Sequence, residues 1–516
     1  MRSTFFGFEA AKTAVYANQK SLDIVGNNLA NANTDGYTRQ RVERAAVYYS
    51  PSASRIASNA VNSAGAGVRS LGVSQIRDSF VDKCYRDETS LSSYYGKSAD
   101  ILNDIIDVFP EAADVTDDPG LTGAMENLYK SLNNYIQNPT LESEANIVKT
   151  SFANIVQVLK RADSNLSVVA ERQTIDLDTT IKRTNELLER ISYLNKTITK
   201  DASTFADTDG TYFGPNELLD ERNMLLDELS KYCDINVINR DNLTVDIEIG
   251  GHTALNRDGC DALNMTTNSE GYVSITWRSE GTKAELKAGA ITAYAEVING
   301  RGPNVRSNDE TTSHGIPYYR DRLNTFAAAL AEAANNTIPV ADENGNPKMV
   351  DGKIVYKTLL GAKQASGTTN TADDISAANI SISDKWNNEG AGYFIYSKKE
   401  NVQNYAQQLS YRLFNKPDNQ FNSYGEKFEG TFSEYVNDMV GKAGTDTGFN
   451  EGRYQAAASV ADSFLTKREG ISGVQRDEET ANMLMFQKSY QAAARVMTVM
   501  DSLLNTLINE LGARIS

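Results

Sequence analysis

Histidine is nearly missing from this chain: His252 and His314 are the two among 516 residues. They stand far apart, neither in HExxH spacing nor beside a cysteine pair, so no metal site is expected. General acid–base work would fall to carboxylates, and no spacing singles out a pair. Cysteine is as scarce. Cys84, Cys233 and Cys260 form an odd set without CxxC spacing, which reads as free thiols and not as a disulfide framework or zinc site. Long apolar runs are lacking as well. Phe5 and Phe6 open no sustained hydrophobic region after Met1-Arg2-Ser3-Thr4, and the apolar stretch 326–334 is short and broken by Glu332. Neither a secretory signal of the usual kind nor a membrane span is expected, and on this test alone the chain reads as cytoplasmic. Positive charge is in deficit, 51 basic against 68 acidic residues for a net −17, which argues against nucleic acid and anionic membranes as partners.

Catalytic signatures are also absent. No GxSxG, GxGxxG after a strand, or Cys–His constellation occurs. Gly96-Lys97-Ser98 ends like a phosphate loop, but Leu91 stands where that loop needs glycine. Asp342, Asn344 and Gly345 echo a calcium loop, yet Val340 takes the first ligand position and Pro347 interrupts, so a turn is expected. The expectation is a chain without catalytic, cofactor-binding or metal-binding residues.

What is present is pattern at both ends. Phe8, Ala11, Val15, Asn18, Leu22, Val25, Leu29 and Ala32 recur in alternating steps of three and four, the seam of a helix that packs on a partner helix. Breakers then cluster at Asn31, Asn33, Asp35 and Gly36. Met483, Phe486, Tyr490, Ala493, Met497, Met500, Leu504, Leu507 and Leu511 repeat the same steps at the other end. Chain ends are usually poorly patterned, so two seams predict that the termini pair as a coiled coil. Asn18 is the polar interruption that would set register at a cost in stability.

The residues between and around these seams carry a resemblance. Asn27, Asn28, Leu29, Ala30, Asn31, Asn33, Thr34, Gly36, Tyr37, Arg39 and Gln40, with Phe486-Gln487, Tyr490-Gln491 and Arg495, are similar to the terminal signatures of bacterial flagellar axial proteins. Within them the chain most resembles the hook-associated, junction-type family, because Gly36-Tyr37-Thr38-Arg39-Gln40 closes the motif and 91–200 is helical where hook proteins turn to β. Thr38 stands where that family more often has serine. Arg77-Asp78-Ser79-Phe80 resembles its R-D-x-F stretch, and 216–222 its N-D-L-x-D-x-R element. In the latter, Asp220, Glu221 and Arg222 read as helix-surface and cap residues.

The middle of the chain is first helical, then mixed. Residues 37–76 read as loop and strand with an extended candidate at 68–76. Leu91, Tyr94, Ser98, Ile101, Ile105 and Val108 predict a helix stopped by Pro110. A shorter one carries Leu121, Met125, Leu128 and Leu132. Thr140 is a candidate cap for a stripe from Val148 to Val169, continued from Leu177 to Ile198. Asn216 is a candidate cap for 217–231. Alternation at Leu243, Val245, Ile247 and Ile249, and again at Val273, Ile275 and Trp277, predicts half-buried strands. Helices are expected at 284–299, 316–336, 401–414, 432–440 and 454–468, and surface loops with short strands across 337–395.

The fold class expected is mainly α with a β insertion, elongated and multi-domain. Residues 1–50 with 470–516 would form the terminal coiled coil, 51–232 with 284–336 and 396–469 a central helical bundle, and 233–283 and 337–395 outer β-rich insertions. The resemblance implies a self-assembling structural protein joining hook to filament, extracellular on the flagellum and exported by its type III apparatus without a cleaved signal. It also implies as partners further copies in a tubular layer, the hook protein, the next hook-associated protein, and an export chaperone on the C-terminal helix. Other readings are a hook- or rod-type axial protein, a secreted helical scaffold or adhesin, and, more remotely, an enzyme within 233–395.

Overall fold

The computed structural model describes residues 6–47, 67–109, 120–201, 204–207, 210–363, 369–370, 374–395 and 399–512. Long helices dominate it. Helix α1 (Phe6–Ala30) leads into a hairpin, β1 (Gln40–Ala46) with β2 (Val68–Gln75), and then into α2 (Ser79–Ile106), α3 (Gly120–Gln137) and α4 (Glu142–Lys200). The expected stop at Pro110 and the loop at 48–66 lie outside the described residues. A two-stranded ribbon, β3 (Phe205–Ala206) with β4 (Tyr212–Phe213), precedes α5 (Asn216–Tyr232).

Helix α4 is the spine. The two stripes read from its sequence fuse into one helix of 59 residues, about 88 Å long. Val148, Phe152, Ile155, Leu159, Leu166, Leu177, Leu188, Ile191 and Ile198 are all buried along it. Thr140 lies in the preceding turn and does not cap: Leu141 is the N-cap and offers no side-chain bond. Likewise α5 begins at Asn216 after Pro215, so Asn216 is already helical. In α2, Ser98, Ile101 and Ile105 are buried as patterned, whereas Leu91 turns outward.

The β segments lie against these helices. Strands β5 (Ile235–Asn239), β6 (Val245–Ile249) and β7 (His252–Leu255) form one antiparallel sheet in that order, and β8 (Leu263–Thr267) pairs β9 (Val273–Trp277). The alternation holds: Val245, Ile247 and Ile249 point inward, as do Val273, Ile275 and Trp277. Leu243 departs from it, standing at φ +65° in the turn before β6. The amide of Asn195 on α4 donates to Val245 O (2.8 Å) and accepts from Val245 N (3.3 Å), tying the sheet to the spine.

Helix α6 (Ala290–Asn299) starts later than its apolar run suggested, because Gly289, at φ +89° against the Tyr232 carbonyl, breaks it. After α7 (Ile316–Asn335), the segment expected to be surface loops contributes to the core instead. It holds the hairpin β10 (Met349–Val350) with β11 (Lys353–Ile354), and a sheet of β12 (Leu360–Lys363) between β13 (Thr369–Asn370) and β14 (Ile380–Ile382). Short helices α8 (Asp384–Glu389) and α9 (Ala391–Phe394) follow. Trp386 is fully buried, stacked on Phe394 with centroids 5.4 Å apart and edge-on to Phe152 of α4 at 5.7 Å. Asp342 behaves as a turn residue, accepting from the backbone of Asn344 and Asn346.

Helix α10 (Lys399–Ser410) and the hairpin β15 (Asn419–Ser423) with β16 (Glu426–Gly430) lead to α11 (Phe432–Ser472) and α12 (Arg476–Gly512). Expected as two pieces, α11 is one helix. Gly441, Gly444, Gly448 and Gly452 all fall on its outer face, with nothing near their missing Cβ atoms. Each costs about 0.5–1 kcal/mol in a helix, and burial of Met439, Ala443 and Thr447 on the inner face offsets it. A capping box of Thr431 with Glu434 starts this helix.

Cys84, Cys233 and Cys260 are free thiols. Cys233 is fully buried, and that burial pushes its thiol pKa up. In the native protein, Ellman's reagent should therefore modify Cys233 only through unfolding, while the denatured chain yields all three thiols. Modification of native Cys233 as fast as Cys84 would contradict this packing.

Candidate functional site: a latch between the chain termini

The breaker-rich stretch after α1 folds into a compact polar network. Asn28, almost fully buried, is its centre. Its carbonyl oxygen accepts from Gln40 N (3.0 Å) and from the Tyr37 hydroxyl (2.8 Å). Its amide donates to Gln40 O (3.0 Å) and to Glu479 Oε2 (3.1 Å) at the start of α12. Arg39 completes the junction, donating from Nε to Glu479 Oε1 and from Nη1 to Glu478 Oε2, each at 2.9 Å. Its backbone N–H reaches Ser472 O at the end of α11 (2.8 Å).

The rest of the motif holds the turn. Asn31 donates to the side chain and carbonyl of Asn27, Thr34 donates to Asn31, and Arg476 of α12 donates to Asn33 Oδ1. Gly36 is at φ +77°, a conformation that favours glycine, and a Cβ there would come within 2.2 Å of Met224 Sδ and displace that side chain. Leu29 is half-buried and Ala30 exposed. Thr38 is buried; its hydroxyl accepts from Arg77 Nη1 (3.1 Å) and its N–H donates to Asp220 Oδ2 (3.3 Å). Serine would supply the same oxygen, which explains why the departure is harmless.

Burial, with Asp220 and Glu479 nearby, pushes the Tyr37 phenol up to about 12. Burial also raises the Asp220 carboxyl, against the lowering effect of Thr38, Arg77 and Gln75. Asp220 and Arg222 are thus buried, contrary to the surface reading of them. Glu221 does stand on the surface, paired with Arg190.

From the latch the two terminal helices run antiparallel: Asn28 meets Glu479, and Gly7 lies against Met500. Of the N-terminal seam, Ala11, Asn18 and Val25 are buried, while Phe8, Val15, Leu22, Leu29 and Ala32 are half-buried. The buried face is rotated toward Ala17, Ser21 and Asn28, because the hairpin lies along it. A register shift between Glu43 and Arg44 re-aims Arg44 onto α1. There Arg44 donates to Ala17 O (3.1 Å), to Asn18 Oδ1 (3.4 Å) and to Ser21 Oγ, with its guanidinium 5.0 Å above the Phe486 ring. Asn18 therefore meets the hairpin, not a polar partner across a helix pair.

Of the C-terminal seam, Met483, Phe486, Ala493, Met497, Met500 and Leu504 are half-buried and Tyr490 exposed. The side chains of Leu507 and Leu511 lie outside the described residues. A second apolar band on α12, formed by Met485, Val496, Val499 and Leu503, faces solvent, with Val499 and Leu503 each 58% exposed. The sequence reading missed Glu479 and Arg44. One of three consecutive acids in a helix's first turn and an arginine in a strand both look like surface charges.

Three family models match separate parts of the chain. The flagellar hook-associated protein FlgK helical domain matches residues 112–339, the flagella basal body rod protein 8–38, and the flagellar basal body rod FlgEFG protein C-terminal 470–510. Flagellar hook-associated protein 1 of Bacillus subtilis (strain 168) is 28% identical, covering 99% of each chain. That of Salmonella typhimurium (strain LT2) is 22% identical, covering 97% of this chain and 98% of its own. The solved flagellar hook junction protein FlgK of Burkholderia pseudomallei aligns with a TM-score of 0.40 at 17% identity, over 55% of this chain and 47% of that one. The latch residues fall within or beside the two terminal matches and the spine within the central one; along nearly its whole length the chain is similar to flagellar hook-associated protein 1.

Proposed function

We propose that this chain is a structural component of the bacterial flagellum, assembled where hook meets filament. The carrying observation is the latched pair of terminal helices, one of which keeps a long apolar band in water. Isolated monomers rarely expose such a band without a partner for it. The seam residues and the band would pack against further copies to form the inner wall of a tube, with residues 1–50 and 470–516 as the axial unit. The central helices and β segments would lie outside that wall.

This reading also proposes the finer partners: the hook protein at one end, the next hook-associated protein at the other, and an export chaperone covering the C-terminal helix before assembly. Export would proceed through the flagellar type III apparatus without a cleaved signal, placing the chain outside the cell. No enzymatic step is proposed. Cells lacking the chain should build hooks but release filament subunits into the medium, and the intact gene should restore filaments. Full-length filaments on the deleted strain would overturn the assignment.

A further inference from the structure

A cavity of about 630 Å³ opens between β2, the start of α2, the β3–β4 ribbon, α5 and the β5–β6 turn. Its lining is unusual for an acidic chain. Arg77, Lys83, Arg86, Arg222 and Arg240 line it, against the single carboxylate Asp82. Four of these cations already have anions: Arg77 pairs with Asp82, Lys83 with Asp87, Arg86 with Asp227 and Arg240 with Asp246. Arg222 has none among the described residues. It is 6% exposed and donates through Nη1 to Asn195 Oδ1 (3.0 Å) and Leu243 O (2.5 Å). Its Nε finds no acceptor, and neither does Nη2 of the equally buried Arg86.

An uncompensated buried guanidinium is costly. Burial and the cations of Arg86 and Arg77 lower the Arg222 pKa to about 10, so it stays charged at neutral pH. Arg222 and Arg86 both line the cleft and each keeps one buried N–H without an acceptor, and the planar fork of a guanidinium suits a carboxylate. The remaining wall is mixed: Gln75, Asn216, Asn223 and Asn239 line part of it, Leu219, Leu226, Val237 and Leu243 supply an apolar part, and Phe80, 65% exposed, is also in the lining.

We propose that this cavity is a binding site for an organic carboxylate, its acid head against Arg222 and Arg86 and its apolar body against Leu219, Leu226 and Val237. The head could come from a free organic acid or from a carboxylate of a neighbouring copy of this chain, which is rich in acidic residues. The recognition chemistry is the same. The site adjoins the latch through Arg77, which lines the cavity and donates to Thr38, but the proposal does not depend on the junction assignment.

The test uses the full-length protein at low ionic strength with 3-phenylpropionate, acetate and inorganic phosphate as probes. Phenylpropionate should raise Tm in proportion to the logarithm of its concentration, acetate should raise it less, and phosphate should act more weakly than phenylpropionate because it lacks the apolar body. R222M should abolish the shift while keeping the native circular-dichroism spectrum, and R222K, charged but without the fork, should retain part of it. If R222M does not fold, R222K alone decides: an unchanged shift there overturns the proposal. So does an unshifted wild type, or R222M that is folded and still responds. The two sources then separate. A bound mass in native mass spectrometry of the purified wild type, absent from R222K, identifies a free acid. Loss of self-association on adding phenylpropionate identifies a neighbouring copy.

Discussion

Replacing Glu479 with alanine should release the two terminal helices from each other at the latch while leaving the central core folded. Glu479 is 1% exposed and accepts from Arg39 Nε and the Asn28 amide. Removing it leaves Arg39 with only the exposed Glu478 and leaves the buried Asn28 amide short of an acceptor. Breaking a buried, hydrogen-bonded ion pair from one side costs about 3–5 kcal/mol. The loss falls hardest on α12, where Glu479 is the one buried side chain among the described residues. Hydrogen exchange should accelerate across α1 and the first half of α12, with α4 unchanged. Motile cells should lose their filaments. Equal protection of α1 in mutant and wild type would show that the latch does not hold the ends together. A double-mutant cycle with Asn28→Ala should return a coupling of about 0.5–3 kcal/mol, the range for residues in one network.

The double substitution Val499→Asp with Leu503→Asp should do the reverse, sparing the monomer and abolishing assembly. Both side chains are 58% exposed in the single chain, and surface changes usually stay within about 0.5 kcal/mol. If the band packs on neighbouring copies, each new carboxylate would be buried unpaired. That costs several kcal/mol per contact, about 1–3 or more by mutational measures, repeated at every subunit of the layer. The purified double mutant should melt as the wild type does, yet cells carrying it should be without attached filaments. Normal filaments in that strain would remove the band from the assembly interface.

Where one face of a periodic element is buried, the sequence was enough. Every apolar position of the α4 stripe is inside, and so are the inward residues of β6 and β9. Periodicity reports a buried face because a side chain every third or fourth residue, or every second, shares one side of its element. It reported less at the ends. The α1 seam was legible as a helix, but the face the fold buries is rotated toward Ala17, Ser21 and Asn28. Small and polar side chains serve there because Arg44 and the hairpin cover them with hydrogen bonds, and no hydropathy pattern encodes that.

The same distinction runs through the interior. Trp386 packs on Phe152 from a segment that reads as polar loop, since isolated aromatics between turn residues carry no period. Gly441, Gly444, Gly448 and Gly452 of α11 look like breakers in the sequence, whereas the structure places these four on the one side where nothing needs to pack. Asp220, Arg222 and Glu479 look like surface charges because charge usually is, and only their tertiary neighbours make them buried groups. By itself the sequence determined the mainly helical class, the two terminal seams and the motif between them. The tertiary structure decided which polar residues are inside, because a buried charge is defined by partners brought from far along the chain: Asn28 and Glu479 are 451 residues apart and 3.1 Å from each other.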